Sequence, residues 1–380
     1  MSVDKSPLFE AIDKNDTDRA LELLNEQSAS ERDPNKMSVL SAAAYRGNLK
    51  VAEKALEFGC DVNDKEHEMG YTPLMFAALS GNPDMCKYLM DAGAKMYLVN
   101  SIGKTASELA AFIGNHKCVA IINNHITIDV IDNILRPKIN GVEVENYPDE
   151  LAKFIHSLCA SHEVHPVKII FRFNEYPDSL KYKKKILYVI DRIFERQLRC
   201  KEGNEVMSLK LWIILFFMRE TMKFAETHSD SDNAAQQYAK ILLKWENGDE
   251  IRKPLDILLR NSVAAFPYKH SLVYDTLNKA LSKSKPGTRP SAYEYIVQSL
   301  FGQRIVAVCK FCSVCGAVDA KKRCPECKLS YCSKHCQKFD WTIHKPICKY
   351  LKSIYGVEMS NDQGEMSLDE IQAQIQNIDV

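Results

Sequence analysis

The N-terminus of this 380-residue chain, MSVDKSPLFEAIDKND, has neither the basic start nor the apolar stretch of a secretion signal. Long hydrophobic runs are missing too. The longest, Leu211 to Met218, has eight residues, against roughly 20 needed to cross a bilayer. Neither sign of charge prevails, since 50 Lys and Arg balance 50 Asp and Glu, so the whole molecule is no polyanion binder. No glycine-rich nucleotide loop occurs, nor a nucleophile with a recognisable base partner. The expectation is a soluble, cytoplasmic protein without a transmembrane segment, its cysteines reduced unless they hold metal. A hydrophobic content of 46% and a charged content of 26% are ordinary for globular chains, and the length suits two or three domains.

Cysteine, by contrast, is concentrated. Seven of the 13 cysteines, with one of the two histidines between Cys312 and Cys348, fall at C-x2-C-x8-C-x2-C-x4-C-x3-C-x7-H-x3-C. Eight ligands suffice for two closed tetrahedral zinc sites. Paired C-x2-C turns within forty residues are a strong metal signature. The segment has few aliphatic residues, so a metal-free core would be too small to hold it folded. A disulfide cluster is the alternative, disfavoured by the missing signal peptide and by the single scattering of the other cysteines. Such sites have no position for water, so the zinc is structural and hydrolysis is excluded.

A second pattern occupies the first 125 residues. Ser6-Pro7-Leu8 recurs as Thr72-Pro73-Leu74, with looser versions at Ser38-Val39-Leu40 and Thr105-Ala106-Ser107. Asn15-Asp16, Gly47-Asn48, Gly81-Asn82 and Gly114-Asn115 keep step with it, at intervals of 32, 34 and 33 residues. Small residues such as Ala43, Ala44, Ala77, Ala78, Ala110 and Ala111 let neighbouring first helices approach, and Gly59 and Gly93 stand where second helices stop. The period and the T-P-L-x-x-A opening resemble the ankyrin repeat. That resemblance implies about four repeats over 1–126, the first and last acting as caps with one solvated face. It implies protein binding through hairpin tips and the concave face, with Tyr45, Arg46, Asp61, Asn63, Tyr97 and Asn100 as candidate contacts.

Residues 127–285 read as an all-α middle domain. Ile186, Val189, Ile190 and Ile193 form one helical stripe, and Leu209, Trp212, Ile213, Phe216 and Phe217 form another, too apolar all round for a surface helix. Val167 to Phe173 is readable as strand or as helix. Breaks are expected at Asn140-Gly141, Pro166, Gly203-Asn204, the polar stretch from His228, Pro254 and Pro267. His156, Cys159, His162 and His165 match no zinc spacing, and the basic run Lys181 to Lys185 reads as a solvated helix face. Residues 286–308 form a linker with a short helix from Tyr293 to Phe301. The tail, 351–380, is acidic, with a capping box at Ser367 to Glu370 ahead of a short helix. It either stays disordered until it meets a partner or folds back on the basic finger.

The ligand order, with Tyr331 before Cys332, Gln337 after Cys336 and Trp341 three residues before His344, resembles a MYND zinc finger, here 309–350. The resemblance implies interleaved sites: Cys312, Cys315, Cys332 and Cys336 for one zinc, and Cys324, Cys327, His344 and Cys348 for the other. It also implies a shallow groove for proline-containing peptides, with Trp341 as apolar wall and Gln337 bonding the peptide backbone. Cys309 departs from the pattern by making a second turn with Cys312, and it reads as a free thiol because Gly316 favours the later pair. Nine Lys or Arg and three acids between Cys309 and Leu351 leave the metal-loaded finger at about +3, too little to argue for direct nucleic-acid binding.

The fold expected is therefore mainly α: an ankyrin-repeat solenoid, an all-α middle and a small cross-braced two-zinc finger. That order, with the acidic tail, resembles the ankyrin repeat and MYND domain-containing protein 2 family. The resemblance implies a non-catalytic adaptor, associated with the cilium, between membrane cyclase clients, notably guanylyl cyclases, and the transport or chaperone machinery. The rivals are a nuclear transcriptional corepressor adaptor, whose only signal would be Ala320 to Arg323, and a protein lysine methyltransferase. The second lacks room, because only about thirty residues follow the finger where half of a catalytic domain would be needed.

Overall fold

The computed structural model describes residues 5–358 apart from 141, 144, 201, 229–233 and 247. The tail helix expected from Ser367, the polar stretch after His228 and Gly141 of the expected Asn140-Gly141 break lie outside these residues. The chain divides into two compact units: Met1–His162 with Arg192–Ser208 and Gln298–Arg304, and Glu163–Asp191 with Leu209–Val297 and Ile305–Val380.

The first unit opens with four helix pairs. They are α1 (Pro7–Asp13) and α2 (Thr17–Leu23), α3 (Val39–Arg46) and α4 (Leu49–Glu57), α5 (Pro73–Leu79) and α6 (Pro83–Asp91), and α7 (Ala106–Ile113) and α8 (His116–Asn124). Each of α3, α5 and α7 starts on a hydroxyl cap: Ser38, Thr72 and Thr105 accept the N–H of Ser41, Met75 and Glu108. These helices stack in series because small residues face one another, with Ala43, Ala44, Ala77, Ala78 and Ala110 all fully buried. Leu40, Met75, Met85, Leu89 and Ile122 fill the spaces between them. Each such burial contributes about 1.5–3 kcal/mol.

The recurring Gly-Asn pair joins one repeat to the next. Gly47 has φ +70°, and a Cβ there would lie 1.9 Å from the Asn82 amide nitrogen. Asn82 itself caps α6 by accepting the Met85 N–H. Asn48 donates to Asn15 and Thr17 at 3.1 and 2.8 Å, and Asn115 donates to the Ala78 and Leu79 carbonyls. A left-handed glycine therefore makes room for the next repeat's asparagine, so the two residues recur together.

The fourth repeat does not present a solvated outer face. Ile122 is fully buried and Asn123 and Asn124 nearly so. Asn204 donates to Asn123, and Arg304 donates to the Ile113 carbonyl at 3.0 Å. Beyond it come α9 (Ile128–Leu135), the two-stranded pair β1 (Lys138–Ile139) and β2 (Val142–Glu143), and α10 (Asp149–Ala160). His116–Leu135 is long and apolar enough to span a membrane by composition, with mean hydropathy 1.2. It is nevertheless two helices, α8 and α9, broken at His125–Thr127, with Ile122, Ile131 and Leu135 buried in the unit.

The second unit is built from α11 (Pro166–Glu175), α12 (Lys183–Arg199), α13 (Glu205–Thr227), α14 (Ala234–Leu242), α15 (Lys253–Ala264), α16 (Leu272–Leu281) and α17 (Ala292–Phe301), parts of α12, α13 and α17 belonging to the first. The run Val167 to Phe173 is helix, since Pro166 sits at the first position of α11, where its missing N–H costs nothing. Both sequence stripes reach the core, through Ile186, Val189 and Ile190 on α12 and through Leu209, Ile213 and Phe217 on α13, with Trp212 and Phe216 half-buried. Trp212, at the edge of this core, donates to the Ser262 carbonyl at 2.8 Å. The stretch Ser282 to Ser291 is pinned. Buried Asp256 accepts from the Gly287 and Ala292 amides and from Arg260. After α18 (Ile305–Val308) come β3 (Lys322–Arg323), β4 (Ser330–Tyr331), α19 (Lys334–His344) and α20 (Cys348–Glu358).

Candidate metal centre

Two tight turns, one short hairpin and one helix bring the eight ligand candidates together. In the first turn the Gly316 N–H donates to the Cys312 carbonyl at 2.9 Å. Gly316 has φ +69°, and a Cβ there would lie 2.4 Å from the Tyr293 hydroxyl oxygen, so this position must be glycine. In the second turn Lys328 donates to the Cys324 carbonyl at 3.0 Å, between strands β3 and β4 paired as Lys322–Tyr331 and Arg323–Ser330. Ser333 caps α19 by accepting the Cys336 N–H. That helix carries Cys336 in its first turn and His344 at its end, and Cys348 opens α20.

Cys312, Cys315, Cys332 and Cys336 converge with their sulfurs within 4.8 Å of one another, and Cys324, Cys327, His344 and Cys348 form an equal cluster. Four sulfurs around one zinc at Zn–S ≈ 2.3 Å stand ~3.8 Å apart. The first cluster measures 3.6, 3.5 and 3.8 Å, and Cys324 lies 3.7 Å from Cys348. Cys327 Sγ is 3.2 Å from His344 Nε2. The donors therefore fit two tetrahedral dications, and the finger is a site for two structural zinc ions.

Ionisation of the thiols requires the metal as well. Bonds from Cys315 and Cys336 drive the Cys312 thiol far down, while the shared proton with Cys312 pushes Cys336 up to about 12 and Cys315 further still. Burial pushes Cys327 up to about 12. Four thiolates cannot ionise together so close without a cation to neutralise them. No disulfide occurs, and buried Cys309 belongs to neither cluster.

A buried chain behind the second cluster sets the histidine. Tyr331 donates its hydroxyl to Asp340 at 2.9 Å, and the same oxygen lies 3.0 Å from His344 Nδ1. Burial and Asp340 push the phenol far up, so it stays protonated. Since the hydroxyl's one hydrogen is donated to Asp340, its oxygen accepts from His344, so Nδ1 carries the imidazole proton and Nε2 presents a lone pair toward the cluster. Burial lowers His344 and keeps it neutral. Asp340, completely buried, is in turn bonded at 2.7 Å by Arg252, which is 5% exposed. Sequence reasoning missed Arg252, Tyr331 and Asp340 as a unit. The signal was Asp340 standing four residues before His344, an acid on one helix face with a metal ligand.

The remaining candidates take different positions. Trp341 is 47% exposed, with its ring edge-on to His344 at 5.8 Å, and Gln337 is half-buried one turn earlier on α19. In the repeats, Tyr45 is exposed, packs edge-on to Phe76 at 6.2 Å and lies beneath Arg46. Asp61 is exposed, and Tyr97 is half-buried. Asn63 bridges repeats, accepting the Lys95 N–H and donating to the Gly93 carbonyl. Asn100 is buried, with its side chain accepting the Ile102 and Lys104 amides of its own hairpin. Sequence reasoning passed over Ile102 and Phe112, 64% and 76% exposed. Phe112 holds the same place in its repeat as Tyr45, so the repeat register would have found it. The histidines and cysteine of 156–165 form no metal cluster among the described residues. His156 bonds the Ile126 carbonyl, and His165 is buried against Tyr293.

This combination defines a class of interaction protein in which stacked ankyrin repeats precede a MYND finger. Residues 8–100 and 40–133 match ankyrin repeats in three copies, and residues 312–348 match the MYND finger. The chain belongs to the family of Dauer abnormal formation protein 25 of Caenorhabditis elegans, to which it is 69% identical over 99% of its own length and 98% of the relative's. Narrower likenesses lie in the repeats: 33% over 76 residues with human protein phosphatase 1 regulatory subunit 27, and 32% over 85 residues with chicken inversin. These reach 49% and 8% of those relatives, respectively.

Proposed function

We propose that this chain is a non-catalytic adaptor that holds one protein on its repeats and a proline-containing peptide on its finger. The observation that carries this reading is an exposed tryptophan on a helix whose two ends bear zinc-cluster residues. Trp341 stands between Cys336 and His344 on α19, with Gln337 one turn before it. A large aromatic held this rigidly loses little entropy on capturing a peptide. On the repeats, Tyr45, Arg46, Asp61 and Tyr97, joined by Ile102 and Phe112, offer the second surface. The family resemblance supports membrane cyclases, notably guanylyl cyclases, as clients and the cytoplasm and cilium as the place of work. The phosphatase-subunit likeness spans 20% of the chain and supports the repeat fold alone.

Capture of a tagged membrane guanylyl cyclase and of a proline-containing peptide by wild type, Trp341→Ala and Phe112→Asp tests this. The tryptophan variant should lose the peptide, and the repeat variant should lose the other partner, both with zinc content unchanged. Unaltered capture by both variants, nuclear accumulation of the tagged chain, or methyl transfer from S-adenosylmethionine to a peptide would defeat the reading.

A further inference from the structure

Beside the β3–β4 hairpin lies a cleft of about 310 Å³ to which neither Gln337 nor Trp341 contributes. Lys310, Arg323, Lys328 and Arg289 line it. The carboxylate among its lining residues, Glu294, accepts the Ser291 amide and hydroxyl at 2.6 and 2.8 Å, and nearby Glu250 accepts the Arg289 N–H. Val306, Phe311 and Leu329 supply an apolar wall. The cleft shares Arg289, Phe311, Leu329 and Tyr355 with a cavity of about 150 Å³ lined also by His165, Trp245 and Arg252. Each of these three carries a buried nitrogen (Nδ1, Nε1 and Nε) with no hydrogen-bond partner among the described residues. Site and lining together ask for a ligand rich in acceptors and negative charge, with some apolar surface.

We propose that this cleft is the docking site of the chain's own acidic C-terminal segment, residues 359–380. Tyr355, which lines both spaces, stands three residues before Glu358, where the described chain ends. The 22 residues that follow carry Asp362, Glu365, Asp369, Glu370 and Asp379 and no Lys or Arg. Their Leu368, Ile371 and Ile375 recur at helical spacing and match the apolar wall. A segment tethered this close reaches its site at an effective concentration on the order of millimolar, so modest contacts suffice. Four basic side chains in a half-enclosed cleft focus the field that draws it in.

Carbodiimide cross-linking of the full chain, read by mass spectrometry, tests the proposal. Asp362, Glu365, Asp369 or Glu370 should join Lys310 and Lys328. In a full-length variant with D362N, E365Q, D369N and E370Q, amine-reactive labelling of Lys310 and Lys328 should rise by roughly tenfold at low salt. Wild type should approach the same labelling in high salt. Unchanged zinc content shows that the finger of the variant is folded. Labelling indifferent to the substitutions, cross-links to Lys338 or Lys345 instead, or cross-links found only between isotopically distinct chains would overturn the proposal. The last would mean exchange between copies, and indifference would leave the cleft to an acidic partner.

Discussion

At the scale of single residues, the second zinc cluster depends on groups that never touch the metal. Arg252 holds Asp340, Asp340 accepts the Tyr331 hydroxyl's hydrogen bond, and the Tyr331 oxygen in turn accepts from His344 Nδ1–H and leaves the lone pair on Nε2. Asp340→Asn turns the acceptor into an amide and loosens the histidine's tautomer. Zinc affinity at that cluster should then fall ~10–100-fold, measured by chelator competition, with the all-cysteine cluster unchanged. Arg252→Leu should act the same way and also destabilise the unit by about 3–5 kcal/mol, because it leaves Asp340 buried without its cation. Equal loss from both clusters would contradict this wiring. Asp340 at four residues before His344 was the one local signal, and Arg252 had none. Arg252 lies 88 residues before Asp340, and no local pattern announces a contact at that range.

At the scale of elements, the repeats show how far periodicity reaches. The recurring hydroxyl, alanines and Gly-Asn pairs prescribed capped helices, close stacking and the repeat-to-repeat asparagine bond, because each is a local rule repeated in register. What periodicity could not supply is what covers the last repeat, since Asn204 and Arg304 come from distant segments. Helix or strand for Val167 to Phe173 was equally undecidable from apolar residues alone; Pro166 at the first helical position tipped it to helix. The finger was legible for a third reason, since metal spacing is fixed by covalent reach. Between repeats, Arg32 meets Asp64 through two bonds of 2.9 and 3.1 Å. Burial pushes the Asp64 carboxyl up, but the Arg32, Glu66 and Ser38 hydrogen bonds outweigh it and hold it below the ordinary range. A depressed carboxylate stabilises the fold above its unfolded pKa and loses that contribution as pH falls through its folded value. Asp64→Asn should therefore cost about 1–3 kcal/mol at neutral pH, a gap that in thermal melts across pH begins to narrow only below about pH 4, the unfolded value, and closes once pH falls below the depressed folded value. A gap that widened in acid would contradict the assignment.

At the scale of the whole molecule, two kinds of stability stand side by side. The repeats rest on buried aliphatic and alanine surfaces repeated along the array. The finger has a modest core of its own and rests on its metal clusters, together with contacts to α11, α14 and α17. Phe171 meets Phe339 at 5.1 Å, Lys240 lies over Phe339, and Tyr293 donates to the Gly316 carbonyl at 2.8 Å. A docking surface on the finger requires both clusters to hold metal at once, because Cys332 and Cys336 tie the start of α19 to the Cys312–Cys315 turn while His344 and Cys348 tie its end to the Cys324–Cys327 turn. Elemental analysis of the purified full chain, alongside Cys332→Ser and Cys348→Ser, tests that requirement most directly. The account predicts two zinc ions per chain and a lower content in each variant. One ion or none in the wild type, or full zinc content in either variant, would contradict it.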